Sequence, residues 1–290
     1  MRASYKLCLP KYGGTGVLHP DIVYLDNHKF PFWLFYTPFP TRGYEFPCLV
    51  RSKDGINFTD IGVNNPLITN LDKDALWEKS HIADPDVVYD SKKDEWIMFY
   101  SGNDGDGIRR VLMAKSNNGL NWVRFPIPIV EGNEPTCIID GSKIKLWYQI
   151  FKTQNSQPLH SWSGKFSDNT ERVGIAYTEF SGNKWKEPKI VIKHPENSVF
   201  THPDVLYNKG IYYMWILEKK LPIGLLDHHL RIFSSKDGIN WRASLYDEES
   251  CGEGKPYRTS SVIFNDYLYV YKSWIKRNKR NYIGVTVYGH

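Results

Sequence analysis

The chain has 290 residues, of which 41% are hydrophobic and 15% aromatic, a composition typical of well-packed proteins rich in strand-favouring side chains. Its formal charge of +5 is small for this length, so it allows an anionic substrate but does not indicate a nucleic-acid partner. The four cysteines are scattered without a CxxC motif, which argues against a zinc site or a disulfide scaffold. The N-terminus has no apolar leader and no stretch is long enough to cross a bilayer, so we expect a reduced, cytoplasmic protein with no membrane partner.

One sequence unit returns five times along the chain. Each unit opens with a short apolar run, and in four units an acidic residue or a histidine, followed by proline, precedes that run. The four openings begin at His19, Asp84, Glu134 and His202, and a degenerate fifth opening begins at Thr259. Self-similarity at such a spacing indicates a repeat architecture.

An aromatic strand and a tight turn follow each opening. The aromatic segments are residues 32–36, 96–100, 146–148, 211–215 and 267–271. The turn Ser-Lys-Asp-Gly-Ile-Asn-Phe at 52–58 is repeated almost letter for letter at 235–241, and related turns occur at 116–122 and 181–185. Their Asp-Gly and Asn-Gly pairs supply the positive φ that hairpin turns need. With a fourth, outer strand after the turn, the unit becomes a four-stranded antiparallel sheet.

Four strands repeated around a ring predict an all-β fold, a five-bladed β-propeller that takes up residues 1–290 as a single domain. The fifth unit has no outer strand of its own after residues 283–287. We expect the N-terminal segment 5–9 to supply that strand and close the ring, because closure removes an exposed strand edge.

Connection lengths indicate which face of the propeller carries the function. The loops between second and third strands are long and chemically varied, whereas the other turns are short. Binding residues concentrate on irregular loops held by a rigid scaffold. The x-Pro openings begin the innermost strands on the same face as these loops, so we expect the working site at that mouth of the central channel.

The x-Pro openings, the aromatic second strands and the Ser-Lys-Asp-Gly-Ile-Asn-Trp turns resemble the five-bladed glycosidase superfamily. That superfamily includes glycoside hydrolase families 43, 32, 68, 117 and 130, and the resemblance covers all five blades. It implies a carbohydrate-active enzyme that cleaves or transfers a glycosidic bond of a saccharide at the channel mouth. Such cleavage generally uses two carboxyl groups across the scissile bond.

The resemblance also implies roles for individual residues. Invertase-like members carry a nucleophilic carboxylate before the proline of blade one, a supporting aspartate in blade two and a glutamate acid/base in blade three. Asp84 and Glu134 match the second and third positions, but His19 stands where the nucleophile belongs. Either Asp21 acts from one step deeper, or His19 acts as a base, or there is no retaining hydrolysis. The arabinanase-like pattern fits less well, because blade four offers His202 where it requires a carboxylate.

Side chains two positions after the residue that precedes each proline point the same way along the strand and lie about 6–7 Å deeper in the channel. Asp21, Asp86 and Asp204 occupy these places in blades one, two and four. Their alternative role is to accept hydrogen bonds from backbone amides around the channel.

For substrate binding the rim offers these candidates: His19, His81, His202, Arg109, Trp162 and Arg258. The arginines suit phosphate or an anionic sugar, which they can bind bidentately. No segment has the spacing of a calcium-binding loop. We therefore expect no cofactor and no metal site, although some members of the superfamily hold a calcium ion in the channel and the resemblance allows one here.

The leading hypothesis is a glycoside hydrolase, or a related phosphorylase or transglycosidase, that acts on a modest oligosaccharide or a sugar of surface-polysaccharide metabolism. The alternative is a glycan-binding propeller that has lost its blade-one nucleophile and its activity. A protein-interaction propeller of the WD-repeat kind fits less well, because the turn motifs differ.

Overall fold

The computed structural model describes residues 2–39, 45–106, 108–153, 170–220, 228–247, 254–276 and 280–289. In this part of the chain the strands form five antiparallel sheets and no helix is present. The all-β, five-bladed propeller predicted from the sequence repeat is therefore confirmed. Over the same residues, no helix has the length and apolar character needed to span a membrane.

The strands follow one another blade by blade. The first strand, β1 (Arg2–Lys6), belongs to the last blade, and blade one contains β2 (Gly16–Tyr24), β3 (Phe32–Phe39), β4 (Cys48–Ser52) and β5 (Phe58–Thr59). Blade two contains β6 (His81–Asp90), β7 (Glu95–Asn103), β8 (Arg110–Ser116), β9 (Val123–Arg124) and β10 (Val130–Glu131). Blade three contains β11 (Asn133–Asp140), β12 (Lys143–Thr153), β13 (Thr170–Ser181), β14 (Lys184–Trp185) and β15 (Lys189–Lys193). Blade four contains β16 (Ser198–Asn208), β17 (Ile211–Lys220), β18 (His228–Ser235) and β19 (Arg242–Asp247), and blade five contains β20 (Lys255–Phe264), β21 (Tyr267–Ile275) and β22 (Tyr282–Tyr288).

Each blade has four strands in antiparallel order. In blades two and three the outer strand is divided in two, since β9 and β10 both pair with β8, and β14 and β15 both pair with β13. The innermost strands β2, β6, β11, β16 and β20 contact one another in that order, and β20 contacts β2. They therefore surround a central channel.

The N-terminal strand closes the ring. Strand β1 pairs antiparallel with β22, from Arg2 opposite Tyr288 to Lys6 opposite Gly284. The predicted closure is therefore present, although the strand begins three residues earlier than the expected segment 5–9. Pairing with β1 gives β22 a neighbour on the side that would otherwise be an exposed sheet edge.

The repeated turns connect neighbouring blades. Gly238 has a φ of 74°, and a Cβ atom there would lie 2.8 Å from the ring of Trp147 in the preceding blade. The indole of Trp147 donates a hydrogen bond of 2.8 Å to the Gly238 carbonyl. Gly55 has the same relation to Tyr271, whose hydroxyl donates to the Gly55 carbonyl at 2.7 Å. Only glycine supplies both the backbone angle and the space, so the turn motif holds blades together as well as reversing the chain.

Candidate active site at the channel mouth

Each of the four x-Pro openings contains a β-bulge that puts the residue before the proline in the left-handed region. The φ angles are 51° at His19, 55° at Asp84, 54° at Glu134 and 51° at His202. At each position the pairing with the second strand of the blade shifts register. Left-handed backbone costs a non-glycine residue on the order of 1–3 kcal/mol, and such residues cluster at functional sites. Bulges re-aim side chains, and here four of them meet from four blades.

Blade five shifts register at the corresponding place, between Pro256 and Thr259, but it has Arg258 where the other openings have proline, and Tyr257 is not in the left-handed region. Tyr257 therefore takes the mouth position in this blade. Thr259, expected at the mouth, is paired with its second strand as Asp21 is, and so lies one level deeper. That expectation was wrong because the fifth opening lacks the proline that marks the register. We call the end of the channel formed by His19, Asp84, Glu134, His202 and Tyr257 the mouth.

The side chains at the mouth approach within contact distance and are almost completely buried. The Oδ1 atom of Asp84 lies 3.3 Å from Nε2 of His19 and 3.8 Å from Nε2 of His202. Nε2 of His202 also lies 3.4 Å from Oε1 of Glu134. Because both acidic oxygens lie so near one nitrogen, they are at most about 7 Å apart, which is no farther than the carboxyl pairs of glycosidases. Asp84 and Glu134, paired from the sequence, are thus brought together.

Nearby polar groups fix the two histidine rings. Nδ1 of His19 lies 2.8 Å from the Thr37 hydroxyl and 2.9 Å from Oε2 of Glu45. Nδ1 of His202 lies 2.8 Å from the Thr201 hydroxyl. The rings stack with centroids 5.6 Å apart and an interplanar angle of 14°. Both Nε2 atoms consequently face Asp84.

Burial and local charge push the pKa values of the two mouth carboxyls in opposite directions. Burial, reinforced by the charge of Asp84, raises the pKa of Glu134 to about 7. Burial also opposes ionisation of Asp84, but the positive charges of His19 and Arg258, with a smaller effect of Arg109, lower its pKa below the usual value. Near neutral pH the pair therefore offers one carboxyl that can donate a proton and one ionised carboxylate.

Three residues near the mouth that were not among the sequence candidates contribute to it. Glu45 contacts His19, and the Tyr257 ring packs 4.2 Å from that of His202. Nζ of Lys219 lies over the Tyr257 ring at 4.9 Å, and burial lowers the pKa of this lysine. Glu45 and Lys219 stand where a second or third strand meets a long loop, which is the one sequence signal that pointed to them.

The remaining rim candidates occupy different environments. Nη1 of Arg109 is buried, with no hydrogen-bond partner within the described ranges. Burial, with the charge of Arg109, lowers the pKa of His81 to about 3, so its imidazole is neutral. The neighbouring Arg110 pairs with Asp106. Trp162 lies outside the described residues, so its binding role stays a prediction.

Arg258 crosses the channel beneath the mouth. Its guanidinium lies 3.3 Å from Asp84 and 3.7 Å from Asp86, and it donates hydrogen bonds to the carbonyls of Pro85 and Pro135 at 3.3 and 3.1 Å. Only 1% of the residue is exposed. Arg258 was expected to bind substrate, but these contacts join blade five to blades two and three and leave it little access to a ligand.

The deeper acids form a second layer. Oδ2 of Asp21 accepts a hydrogen bond of 2.7 Å from the amide of Val87 in the next blade, and Oδ1 of Asp86 accepts one of 2.8 Å from Cys137 in the blade after that. Asp21 also receives a bond of 3.2 Å from Ser260. These contacts match the alternative role considered for the deeper residues, which is to accept hydrogen bonds from backbone amides around the channel. A nucleophilic role for Asp21 stays a prediction, and both of its oxygens are engaged.

Among the residues that the structure describes, two side-chain groups have the spacing of metal ligands. One is His19, Asp84 and His202, and the other is Asp21, Asp86 and Asp204, with candidate ligand atoms in each group within 4.8 Å of one another. In the second group the guanidinium of Arg258 already supplies the positive charge that a calcium ion would bring. In the first group, by contrast, Nε2 of His19 is buried and has no hydrogen-bond partner in the part of the chain described.

Comparison with known proteins gives a sequence match over part of the chain and fold matches over nearly all of it. Residues 11–140 match the model of the glycosyl hydrolases family 32 N-terminal domain. No curated protein matches the sequence.

Several solved structures share the fold. An N-acetylgalactosamine deacetylase from F. plautii, in complex with blood group B trisaccharide, is 18% identical with a TM-score of 0.70, over 99% of this chain and 94% of that one. A family-43 endo-arabinanase from Bacillus licheniformis is 15% identical with a TM-score of 0.64, over 96% of both chains. A family-43 enzyme from Xanthomonas citri complexed with xylotriose is 13% identical with a TM-score of 0.69, over 97% of this chain and 89% of that one. At these identities the likeness concerns the fold.

Proposed function

Because this chain has the five-bladed propeller fold and residues 11–140 match the glycosyl hydrolases family 32 N-terminal domain, we propose that it belongs to the glycosidase superfamily and hydrolyses a saccharide at the channel mouth by cleaving a glycosidic bond. One observation carries the proposal. The carboxyls of Asp84 and Glu134 come from different blades, lie at most about 7 Å apart, and have pKa values shifted in opposite directions.

The two carboxyls take complementary roles. Glu134, whose pKa is raised to about 7, donates its proton to the leaving oxygen. Asp84, which stays ionised, accepts a proton from the water that attacks the anomeric carbon. The bond between that carbon and the leaving oxygen breaks, and the two products share the elements of water. Attack by water, rather than by a side chain, suits a mouth in which His19 replaces the blade-one carboxylate.

The cationic groups of the mouth favour an anionic saccharide. Arg109 and Lys219 interact electrostatically with the acids there, and a buried nitrogen of Arg109 has no partner within the described residues. A sugar carboxylate or phosphate can take both contacts.

A second candidate reaction is hydrolytic removal of an acyl group from an amino sugar. The observation that favours it is the histidine at blade one, which leaves the mouth without the usual nucleophile but with a histidine–aspartate–histidine group. The F. plautii structure with this fold is named as a deacetylase of N-acetylgalactosamine.

The test is turnover of two substrate panels, aryl glycosides and N-acetylated sugars, by the wild type, Glu134→Gln, Asp84→Asn and a control, Glu131→Gln. Glu131 is exposed and three residues from Glu134, so its variant reports the effect of a lost carboxylate elsewhere. We expect glycoside turnover to fall at least about 100-fold in the two mouth variants and to be unchanged in the control. Release of acetate without glycoside cleavage supports the second candidate. Sugar binding without any turnover, with binding lost in the mouth variants, refutes both and favours a glycan-binding propeller.

A further inference from the structure

We propose that His19, Asp84 and His202 bind a divalent transition-metal ion at the channel mouth. The sequence expectation was that the chain has no metal site, with calcium as the alternative. The inference concerns binding and therefore stands apart from the glycosidase proposal. It begins from two acceptor atoms, Nε2 of His19 and Oδ1 of Asp84, that lie 3.3 Å apart in a buried setting.

The hydrogen bonds of His19 determine what its second nitrogen can do. Nδ1 lies 2.9 Å from the carboxylate of Glu45, and a carboxylate only accepts, so the ring proton belongs on Nδ1. In the neutral ring, Nε2 is then a lone pair that points at a carboxylate oxygen. The described chain gives Nε2 of His19 no hydrogen-bond partner. A bound cation satisfies both atoms.

The distances fit a metal of small radius. Ligand atoms about 2.0–2.1 Å from a tetrahedral zinc ion are about 3.4 Å from one another. Asp84 Oδ1 lies 3.3 Å from one histidine nitrogen and 3.8 Å from the other, and the three candidate ligand atoms lie within 4.8 Å. The site therefore needs at most a small contraction to enclose the ion.

The surroundings of both rings are those of metal-binding histidines. A ligating histidine usually directs its other nitrogen to a carboxylate, a carbonyl or a water, which fixes the ring. His19 has Glu45 and Thr37 in this place, and His202 has Thr201. The left-handed backbone at all three ligands is a further cost that a functional centre explains.

The donor set indicates the type of ion. Two imidazoles and one carboxylate favour zinc, manganese, iron, cobalt or nickel over calcium, which prefers oxygen ligands. Three protein ligands leave a coordination position open, as in catalytic sites. Oε1 of Glu134 lies 3.4 Å from Nε2 of His202, one of the three ligand atoms.

This placement gives the metal a chemical use, which rests on the amino-sugar candidate above. A metal ion lowers the pKa of bound water to near 7. Glu134 takes a proton from that water as its oxygen adds to the acyl carbon, then returns a proton to the nitrogen. The carbon–nitrogen bond breaks, giving a carboxylic acid and an amine.

The experiment measures binding without turnover. The whole protein is dialysed against a chelator and titrated with Zn²⁺, Mn²⁺ and Ca²⁺ by calorimetry, and its thermal shift is recorded with each ion. We expect one Zn²⁺ or Mn²⁺ per chain, bound at least about 10-fold more tightly than Ca²⁺. His19→Ala, His202→Ala and Asp84→Asn should lose the binding and the thermal shift. His28→Ala, which removes an exposed histidine, should keep both.

A conservative variant covers the case in which a ligand variant fails to fold. Glu45→Gln leaves the three ligands in place and alters only the group behind His19, so it should weaken metal binding about 10- to 100-fold. The proposal is overturned if the wild type binds no transition metal stoichiometrically, or if His202→Ala binds as tightly as His28→Ala. Release of acetate from an N-acetylated sugar that survives complete removal of a bound metal would refute its catalytic use while leaving the binding site and the glycosidase proposal intact.

Discussion

Replacing Arg258 with methionine tests whether this side chain holds the channel together. Methionine keeps most of the apolar stem and removes the guanidinium. Two carboxylates, at 3.3 and 3.7 Å, and two carbonyls, at 3.3 and 3.1 Å, lose their partner. All of these groups are buried beneath the mouth, where water cannot readily replace the lost contacts.

The expected cost follows from that burial. Removing one member of a buried ion pair typically destabilises a protein by about 3–5 kcal/mol, because the other charge is left uncompensated. At about 2–4 °C per kcal/mol for a chain somewhat smaller than this one, we expect Tm to fall by about 6–20 °C. Asp86→Asn should recover part of that loss in the double variant, since it removes one of the stranded charges while keeping a carbonyl oxygen for the Cys137 amide.

The assay is thermal unfolding of the wild type, Arg258→Met, Asp86→Asn, Arg258→Met/Asp86→Asn and the control Arg242→Met, in metal-free buffer. Arg242 is exposed on β19, so its variant should change stability by less than about 0.5 kcal/mol. Equal Tm values for Arg258→Met and Arg242→Met would show that the buried guanidinium does not hold the blades together. Additive effects of Arg258→Met and Asp86→Asn would show that the two residues do not interact as their distance suggests.

Three further changes test other parts of the fold. Gly238→Ala should destabilise the protein by at least about 1 kcal/mol more than Gly210→Ala in thermal unfolding, because both glycines have positive φ but only the first Cβ would meet a neighbour, Trp147 at 2.8 Å. Equal losses would show that Trp147 moves aside freely. Deletion of residues 1–6 should lower Tm only slightly, since β1 is largely exposed, but should cause self-association by light scattering through the open edge of β22. A truncated protein that stays monomeric contradicts this. Burial opposes ionisation of Asp54, but hydrogen bonds from Asn57 and Ile56 lower its pKa to about 2, below the unfolded value of about 3.9. The stability that Asp54 contributes is therefore present above about pH 4 and lost at lower pH, so the Tm difference between wild type and Asp54→Ala should narrow from about pH 6 to about pH 3. A constant difference would exclude the charge of Asp54 as the cause.

The fold could be predicted because its information is local and repeated. Each unit carries its own apolar run, aromatic strand and glycine turn, and the same order occurs five times. The alternation of side chains along a strand and the positive φ at a turn both depend on residues that are neighbours in the chain. Short sequence patterns therefore reveal them, as Gly55 and Gly238 do for the turns. The prolines at 20, 85, 135 and 203 also marked the residues that meet at the mouth.

The missing proline of blade five shows where this reasoning fails. Without it the register of the bulge was hidden, and Thr259 was taken for the mouth residue in place of Tyr257. The contribution of Lys219 was equally hidden, because a lysine at the end of a strand is ordinarily exposed.

Local sequence patterns were enough to predict the number of blades, the strand order within each blade and the face on which His19, Asp84, Glu134 and His202 gather. The contacts among these residues became apparent only in the folded chain. Folding brings His19 and His202 next to Asp84. It also places Glu45 against Nδ1 of the His19 ring and Arg258 across the channel. These contacts join blades that are distant in sequence across a closed ring. The contact distances depend on bulge geometry and radial packing, which no local sequence pattern encodes.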